Sequence, residues 1–239
     1  MKAVLSIAWR DLQALFLSLK AYVVITLLLG LFGFFFYFLL AESKEASMRD
    51  MFQVMNFFFL FVIPVITMGS LADERKSGTL ELLLTCPVTR FQVVAGKFLA
   101  GAAFYTVFVA LTLQFYALLS LCGTPDPGPV LSGYLGVLLS GYLFIAVGVY
   151  ASSLTRSSLV AALLSYALLL GGFVLSSSPS QLSGWLADLV SRFGFVDRLT
   201  TFERGIVRSS DVAYFVVGTL FWITVTTLGF DLEKDSPLA

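Results

Sequence analysis

The sequence contains no histidine, only two cysteines and few charged residues. Without histidine, the chain cannot form a Ser-His-Asp triad, a Cys-His pair or a metal site with histidine ligands. Two cysteines are too few for a thiolate zinc site or a disulfide framework. Fifteen basic and fifteen acidic residues balance to zero net charge, which gives no sign of nucleic-acid binding. We therefore expect neither a metal nor a nucleic acid among the ligands of this chain.

The sequence also lacks a phosphate-binding loop of the GxxxxGK[ST] type, because Gly96-Lys97 is followed by Phe98. No other pattern brings together a nucleophile and a general base. We expect that the chain is not an enzyme and that it binds no cofactor of its own.

The sequence consists largely of long apolar segments. Only 13% of the 239 residues are charged, against roughly 25% in an average globular protein, while 58% are hydrophobic and the mean hydropathy is +0.92. A soluble domain this apolar would aggregate through its exposed patches, so the composition indicates a membrane protein. Six gaps between successive charged residues run for 19 to 31 residues, and a membrane-crossing helix needs about 20 apolar residues. The sequence thus predicts one all-α integral membrane domain over residues 1–239, with six transmembrane helices at 22–41, 52–72, 98–122, 133–154, 158–177 and 212–230.

The twenty residues before the first predicted span form a separate element. Apolar residues recur along it at a spacing of three to four, and they are Leu5, Trp9, Leu12, Phe16 and Leu19. This pattern predicts an amphipathic helix at the membrane interface, with Trp9 at the level of the lipid headgroups. Two interpretations of its role are equally open: a plain membrane anchor, or an elbow that moves with the helix bundle.

Basic residues are more frequent on the side of the N-terminus. With the N-terminus in the cytoplasm, nine of the 15 basic residues lie in inner segments and six in outer ones. Because cytoplasmic loops carry the excess of lysine and arginine, both termini are predicted to be cytoplasmic. The loop 73–97 then lies in the cytoplasm, and the loop 178–211 lies outside.

Three polar residues, Gln53, Asn56 and Gln114, lie inside predicted spans. They could line a path, but we favour hydrogen bonds between helices, which contribute under about 2 kcal/mol each. Small residues are interpreted as points of close helix contact, and they are Gly101, Ala102, Gly133, Gly136, Ser140, Gly141, Gly148, Gly171 and Gly172. The 24 phenylalanines are interpreted as lipid-facing bulk.

The inner loop 73–97 begins with a run of charge and continues with a short apolar segment. The charged run consists of Asp73, Glu74, Arg75 and Lys76. After it, Ser77 is predicted to cap a short helix over 79–86, and Pro87 is predicted to end that helix. Thr89 is predicted to cap a second helix that runs into the third span.

Three leucines, Leu80, Leu83 and Leu84, share one face of the short helix. A helix of two turns is too short to be stable alone in water, so something must bury that face. One interpretation places the leucines in the lipid interface, and the other docks them in a groove on a cytosolic partner. Each buried leucine contributes about 1.5–3 kcal/mol, so three supply about 5 kcal/mol or more. That is close to the roughly 5.5 kcal/mol that flips a two-state bundle.

Residues 74–88, ERKSGTLELLLTCPV, resemble the cytoplasmic signature of type-two ABC export permeases. The similarity is to the branch that contains the gliding-motility and nitrous-oxide-reductase-maturation permeases, and it continues in VVAGKF at 93–98 and FERGIVRSSDVAYF at 202–215. Six spans, an N-terminal interfacial helix and a loop between spans two and three also match. The resemblance implies the membrane half of an ABC exporter in the bacterial inner membrane.

The same resemblance implies the partners and the coupling residues. The chain would pair with a second copy of itself or with a related permease, and each permease would receive a separate cytosolic ATP-binding subunit that holds ATP and magnesium. Residues 78–87 would form the coupling helix that enters a cleft on this subunit, and 73–76 its charged approach. The implied coupling residues are Asp73, Glu74, Arg75, Lys76, Gly78, Thr79, Leu80, Glu81, Leu83, Leu84 and Pro87. Within 178–211, the resemblance implies short helices that dip back toward the membrane.

Two other functions stay open from the sequence. The short helix could relay mechanical work from an ATPase to a motility or maturation complex, which would make the chain a membrane scaffold or mechanotransmitter without a transported substrate. A secondary transporter or channel is the other alternative. Those proteins usually carry ionisable residues within the membrane and inverted repeats, and neither pattern is evident in the sequence.

Overall fold

The computed structural model describes residues 2–43, 47–80, 88–123, 125–177 and 194–234. All regular secondary structure in these ranges is helical, and the helices are α1 (Lys2–Leu17), α2 (Leu19–Ser43), α3 (Arg49–Thr67), α4 (Ala72–Ser77), α5 (Arg90–Cys122), α6 (Pro127–Ser153), α7 (Ser158–Ser177), α8 (Val196–Glu203) and α9 (Ser209–Lys234). Six stretches are long and apolar enough to cross a membrane, namely Ala21–Ala41, Arg49–Ser77, Arg90–Leu121, Pro127–Ser153, Ser158–Ser177 and Ser209–Phe230. The predicted all-α fold with six transmembrane helices is confirmed.

The end of α3 and the start of α6 differ from the predicted span limits by more than one helical turn. The sequence predicts a second span that reaches residue 72, whereas α3 ends at Thr67 and a turn over 68–71 separates it from α4. The Thr67 hydroxyl donates to the carbonyl of Ile63 at 2.9 Å, one turn back, where α3 ends. The fourth span is predicted from residue 133, but α6 begins at Pro127. A proline is tolerated in the first turn of a helix because the N–H that it lacks has no intrahelical partner there.

Helix α6 is the central helix of the bundle and packs against α3, α5, α7, α8 and α9. Small residues allow these close contacts, as predicted. A Cβ atom added at Gly133 would overlap the ring of Phe52, and one added at Gly141 would overlap the ring of Tyr105. By contrast, Gly171 on α7 has no neighbour within 4 Å of its added Cβ position.

The interpretation of phenylalanine as lipid-facing bulk is wrong for a substantial group. The phenylalanines with less than 2% exposure are Phe32, Phe52, Phe59, Phe104, Phe144, Phe202 and Phe215. Edge-to-face ring contacts join several of them to their neighbours, as between Phe32 and Phe59 at 5.7 Å. Other phenylalanines do face outward, such as Phe34 and Phe38 on α2.

Helix α1 lies against the first half of α5. Its Ile7 side chain occupies the space beside Gly96, and the rings of Phe16 and Phe104 lie 5.2 Å apart. Of the residues on the predicted apolar face, Leu5, Trp9 and Leu19 are exposed, whereas Phe16 packs against the bundle. Helix α1 is therefore packed as part of the bundle while it keeps an apolar outer face.

Two of the three polar side chains within the predicted spans, Gln53 and Asn56, connect helices, as we favoured from the sequence, whereas Gln114 is exposed on α5. Ser140 on α6 donates a hydrogen bond to the side-chain oxygen of Asn56 on α3 at 2.9 Å. Gln53 on α3 donates to the Glu203 carboxylate at the end of α8 at 3.0 Å. Ser132 on α6 holds the same helix end by donating to the carbonyl of Phe202 at 2.6 Å. Helix α8 is a short helix within the predicted outer loop 178–211, fixed to α3 and α6 at the end of the bundle away from α4.

Candidate functional site

The hydroxyl of Ser152, near the C-terminal end of α6, forms hydrogen bonds with the turn between α3 and α4. The backbone N–H groups of Leu71 and Ala72 both donate to the Ser152 oxygen at 3.0 Å, and Ser152 donates to the carbonyl of Met68 at 2.8 Å. Ser152 is completely buried. The first N–H groups of a helix have no intrahelical acceptor, so Ser152 does for α4 what a capping residue of its own would do. No local sequence signal points to this contact, because the two partners are about 80 positions apart.

The charged run that the sequence singled out forms α4 itself. Asp73 and Glu74 lie in its first turn, and Arg75 and Lys76 lie in its last turn. This order of charge suits the helix dipole, which is positive at the N-terminus and negative at the C-terminus. Gly78 follows the last residue of the helix as its C-cap, and its φ of +72° is left-handed. A residue with a side chain is strained in that conformation, and glycine is not.

The helix over 79–86 that Ser77 is predicted to cap lies mostly outside the described residues. Ser77 is the last residue of α4, and its hydroxyl donates back to the carbonyl of Asp73 at 2.8 Å. The hydroxyl of Thr79 lies 2.9 Å from that of Ser77 and also donates to the carbonyl of Glu74 at 3.3 Å. Both hydroxyls thus satisfy carbonyl groups at the end of α4, where no intrahelical donor remains.

Four charged residues, which we call the charge cluster, join α4 to two other helices: Arg10, Asp11, Glu74 and Lys97. The Lys97 ammonium lies 2.7 Å from Asp11 Oδ2 and 2.6 Å from Glu74 Oε1. The Arg10 guanidinium lies 2.8 Å from Glu74 and 2.9 Å from Asp11. Only 5% of the Lys97 side chain is exposed. A buried charge is strongly destabilising when its partner is lost, so the cluster ties α4 to α1 and α5.

Arg10 closes the solvent side of the charge cluster. Burial opposes the charge on its guanidinium, but the carboxylates of Asp11 and Glu74 outweigh that effect and raise the pKa of Arg10. Its side chain is 54% exposed, in contrast to the nearly buried Lys97. The cluster therefore has a buried lysine at its centre and an arginine at its rim.

The last span is attached to the same region. The Arg75 guanidinium on α4 lies 5.6 Å from the centre of the Phe230 ring on α9. Arg90, the first residue of α5, donates to the carbonyl of Phe230 at 2.7 Å. Contacts from α1, α5, α6 and α9 thus converge on α4 and on the turn before it.

The described part of the candidate site ends shortly after α4. Leu80 is buried, with 5% exposure, and belongs to the hydrophobic core. The predicted coupling residues Glu81, Leu83, Leu84 and Pro87 lie outside the described residues.

The chain is described again from residue 88, just before α5. Thr89 caps α5 as predicted: it accepts from the N–H of Gln92 at 3.3 Å, and its own N–H donates to the Gln92 side chain at 3.0 Å. This reciprocal capping box fixes the start of α5.

A second polar group lies at the opposite end of the bundle. Arg198 forms an ion pair with Asp211 at 2.8 Å and lies 4.4 Å from the centre of the Tyr214 ring. Glu203 is only 4% exposed. Burial raises the pKa of the Glu203 carboxyl, and the hydrogen bond from Gln53 opposes this rise. These contacts fix α8 to α9 and to α3. No pattern in the sequence predicts the buried carboxyl.

Comparisons with known proteins agree with this architecture. A family profile described as "ABC-2 family transporter protein" matches residues 5–188. The chain is 30% identical over 93 residues to the inner membrane transport permease YhhJ of Escherichia coli (strain K12), a match that covers 39% of this chain and 25% of that protein. The protein of the same name from Shigella flexneri matches with the same identity and coverage. The matched segment thus spans about a quarter of the length of these curated relatives.

Proposed function

This chain belongs to the ABC-2 family of transporter proteins, and from that premise we propose that it couples ATP hydrolysis in a separate cytosolic subunit to export across the inner membrane. The family and the six apolar helices make it a multi-pass permease subunit of an ABC transporter. Membrane subunits of this family are not ATPases. In our proposal, ATP and magnesium are held by the partner, and a second permease copy or a related permease completes the membrane half.

The convergence of four helices on α4 supports this proposal. The charge cluster joins α4 to α1 and α5, Ser152 joins it to α6, and Phe230 joins it to α9. Three of these helices, α5, α6 and α9, are long enough to cross the membrane. Because packed helices move as rigid units, a displacement of α4 by a partner would reach all three.

We propose that the leucines of the coupling segment have different roles. Leu80 is buried in the core, so we assign it to anchor the start of the coupling segment on the bundle. Leu83 and Leu84 are proposed to enter a groove on the ATP-binding subunit. In this account the coupling segment 73–87 is cytoplasmic, both chain termini are cytoplasmic, and α8 lies at the outer face.

The test is ATP turnover by the assembled complex. We would co-express the chain with a candidate ATP-binding subunit chosen from the genes that neighbour its own, purify the complex and measure hydrolysis with and without the permease. Replacing both Leu83→Asp and Leu84→Asp removes burial of about 1.5–3 kcal/mol per residue, so we expect assembly or stimulation of hydrolysis to fall by about 100-fold or more.

A matched control is available at the opposite end of the bundle. Ile206 and Val207 are half exposed, at 48% and 50%, in the segment before α9. The double change Ile206→Asp and Val207→Asp makes the same chemical substitution there and is expected to leave assembly and stimulation unchanged. If the Leu83→Asp, Leu84→Asp chain assembles and stimulates normally, the coupling assignment is wrong.

A further inference from the structure

A cavity of about 370 Å³ lies between α1, the turn after α3 and the first half of α5. Its size falls in the range of small-molecule sites, about 300–1,000 Å³. Apolar residues line its length, among them Ala14, Val24, Val65 and Phe104. One end, in contrast, is lined by charged residues. The cavity is therefore amphipathic, with an apolar body and an ionic end.

The charge at the ionic end favours a cation. Among the described side chains that line the cavity are three carboxylates, of Asp11, Asp73 and Glu74, and one ammonium, that of Lys97, which pairs with Asp11 and Glu74. Arg10 adds a second positive charge at the rim through its contact with Glu74. Two positive groups and three negative groups leave this set with an excess of negative charge.

Glu74 carries a further sign that a hydrogen-bond donor is missing. Its Oε1 atom accepts contacts from both Lys97 and Arg10, but its Oε2 atom is buried and has no hydrogen-bond partner among the described residues. A buried carboxylate oxygen without a donor is unfavourable. A ligand with a cationic N–H group would supply that donor.

Exposed apolar side chains flank the cavity. Ser18, which lines it, stands between Leu17 and Leu19, and these two leucines are 85% and 80% exposed. In a membrane-embedded chain, apolar side chains exposed to this degree are in contact with acyl chains. The apolar body of the cavity is therefore suited to bind an acyl chain of a neighbouring lipid.

We propose that this cavity binds one acyl chain of a phospholipid whose headgroup carries a primary amine. The ammonium pairs with Glu74 and Asp73, and the lipid phosphate faces Arg10 at the rim, where that side chain is 54% exposed. The lipid then bridges α1 to the charge cluster. The proposal requires only that the chain is embedded in a membrane, and it does not depend on coupling to an ATPase.

The experiment is native mass spectrometry of the purified full chain, titrated with phosphatidylethanolamine, phosphatidylcholine or phosphatidylglycerol of the same acyl composition. A primary ammonium donates up to three hydrogen bonds, whereas a quaternary ammonium and a glycerol headgroup offer no cationic donor. We expect retention of phosphatidylethanolamine to exceed that of the other two by about fivefold or more. Equal retention of the three lipids would overturn the headgroup assignment.

Two variants locate the site. Ala14→Phe fills the apolar body, and we expect it to reduce retention of phosphatidylethanolamine by about tenfold. Gln13→Phe, its matched control, puts the same ring on the adjacent exposed position of α1, which does not line the cavity, and should retain the lipid. Unchanged retention in Ala14→Phe would place the lipid elsewhere.

Asp73→Asn keeps the shape of an exposed side chain and removes one charge, so it tests the ionic end even if Ala14→Phe folds poorly. We expect it to abolish the preference for phosphatidylethanolamine over phosphatidylcholine. A preference that survives Asp73→Asn would overturn the ammonium contact. If the chain retains a long-chain alkylamine but does not retain phosphatidylethanolamine, the phospholipid assignment is likewise overturned.

Discussion

At the scale of single residues, Ser152 is the contact through which α6 holds the turn before α4. Its hydroxyl accepts from two backbone N–H groups and donates to one carbonyl. In the charge cluster, Lys97 likewise has more than one partner, because its ammonium lies less than 3 Å from both Asp11 and Glu74. Each of these side chains serves several partners at once, so its removal affects more than one element.

We predict that Ser152→Ala weakens both the fold and the coupling. The change leaves the N–H groups of Leu71 and Ala72 buried without an acceptor, which costs about 1–3 kcal/mol. Thermal unfolding in detergent measures the loss of stability, and ATP turnover of the complex measures the loss of coupling. The control is Ser153→Ala, because Ser153 donates only to the carbonyl of Tyr150 within its own helix. Equal behaviour of the two variants would contradict the role given to Ser152.

A second prediction at this scale concerns Glu203 and pH. Because burial raises the pKa of this carboxyl, the folded chain binds its proton more tightly than the unfolded chain. The associated stability is complete below the pKa of an unfolded glutamate, about 4.3, and is lost as the pH rises through the folded pKa.

The neutral variant Glu203→Gln provides the reference for this measurement. We expect the melting temperature of the unaltered chain, relative to that of Glu203→Gln, to fall as the pH is raised from about 4 to 8. Parallel melting profiles across this range would show that the carboxyl is not perturbed by burial.

At the scale of helices, the membrane explains which features the sequence revealed. The lengths of the segments without charged residues identified six spans, because a charge at the centre of the bilayer is energetically costly. The capping box at Thr89 was also readable, since it needs only residues three apart. The end of α3 could not be predicted from the sequence, because the N–H group of Ala72 at the start of the next helix is capped by Ser152 in α6. Buried and lipid-facing phenylalanines could not be separated either, because protein interior and lipid are both apolar.

Close packing at Gly141 leads to a third prediction. The ring of Tyr105 lies against Gly141, and its hydroxyl is fixed by donating to the carbonyl of Val137 at 2.7 Å. The ring therefore cannot move aside, and Gly141→Ala should lower the free energy of unfolding by about 1–3 kcal/mol. Gly171→Ala is the matched control, since it meets no atom within 4 Å and should be neutral or stabilising by up to about 1 kcal/mol. Denaturant unfolding in mixed micelles distinguishes the two variants.

At the scale of the whole molecule, α4 and α8 lie at opposite ends of the bundle. Helix α5 has 33 residues, which gives a length of about 50 Å at 1.5 Å per residue. The hydrocarbon core of a bilayer is about 30 Å thick, so the two ends of α5 emerge on different sides. The end of the bundle with α4 and the end with α8 therefore lie on opposite sides of the membrane.

The two native cysteines test the orientation that we propose. Cys86 belongs to the proposed coupling segment, and Cys122 is the last residue of α5. In a Cys122→Ser chain, Cys86 should react with a membrane-impermeant maleimide in inverted membrane vesicles and not in spheroplasts. In a Cys86→Ser chain, Cys122 should show the reverse pattern. Labelling after solubilisation in detergent gives the total reactive thiol, and an exchanged pattern would contradict the proposed orientation.

The most direct test of the account is the movement of the outer end when the partner binds nucleotide. A spin label at Arg208→Cys, with both native cysteines replaced by serine, reports the distance between two permease copies in nanodiscs that also hold the ATP-binding subunit. We predict that ATP shifts this distance by about 2–5 Å and that Ser152→Ala reduces the shift. An unchanged distance during normal ATP hydrolysis would contradict the claim that α4 transmits the partner's movement to the membrane helices.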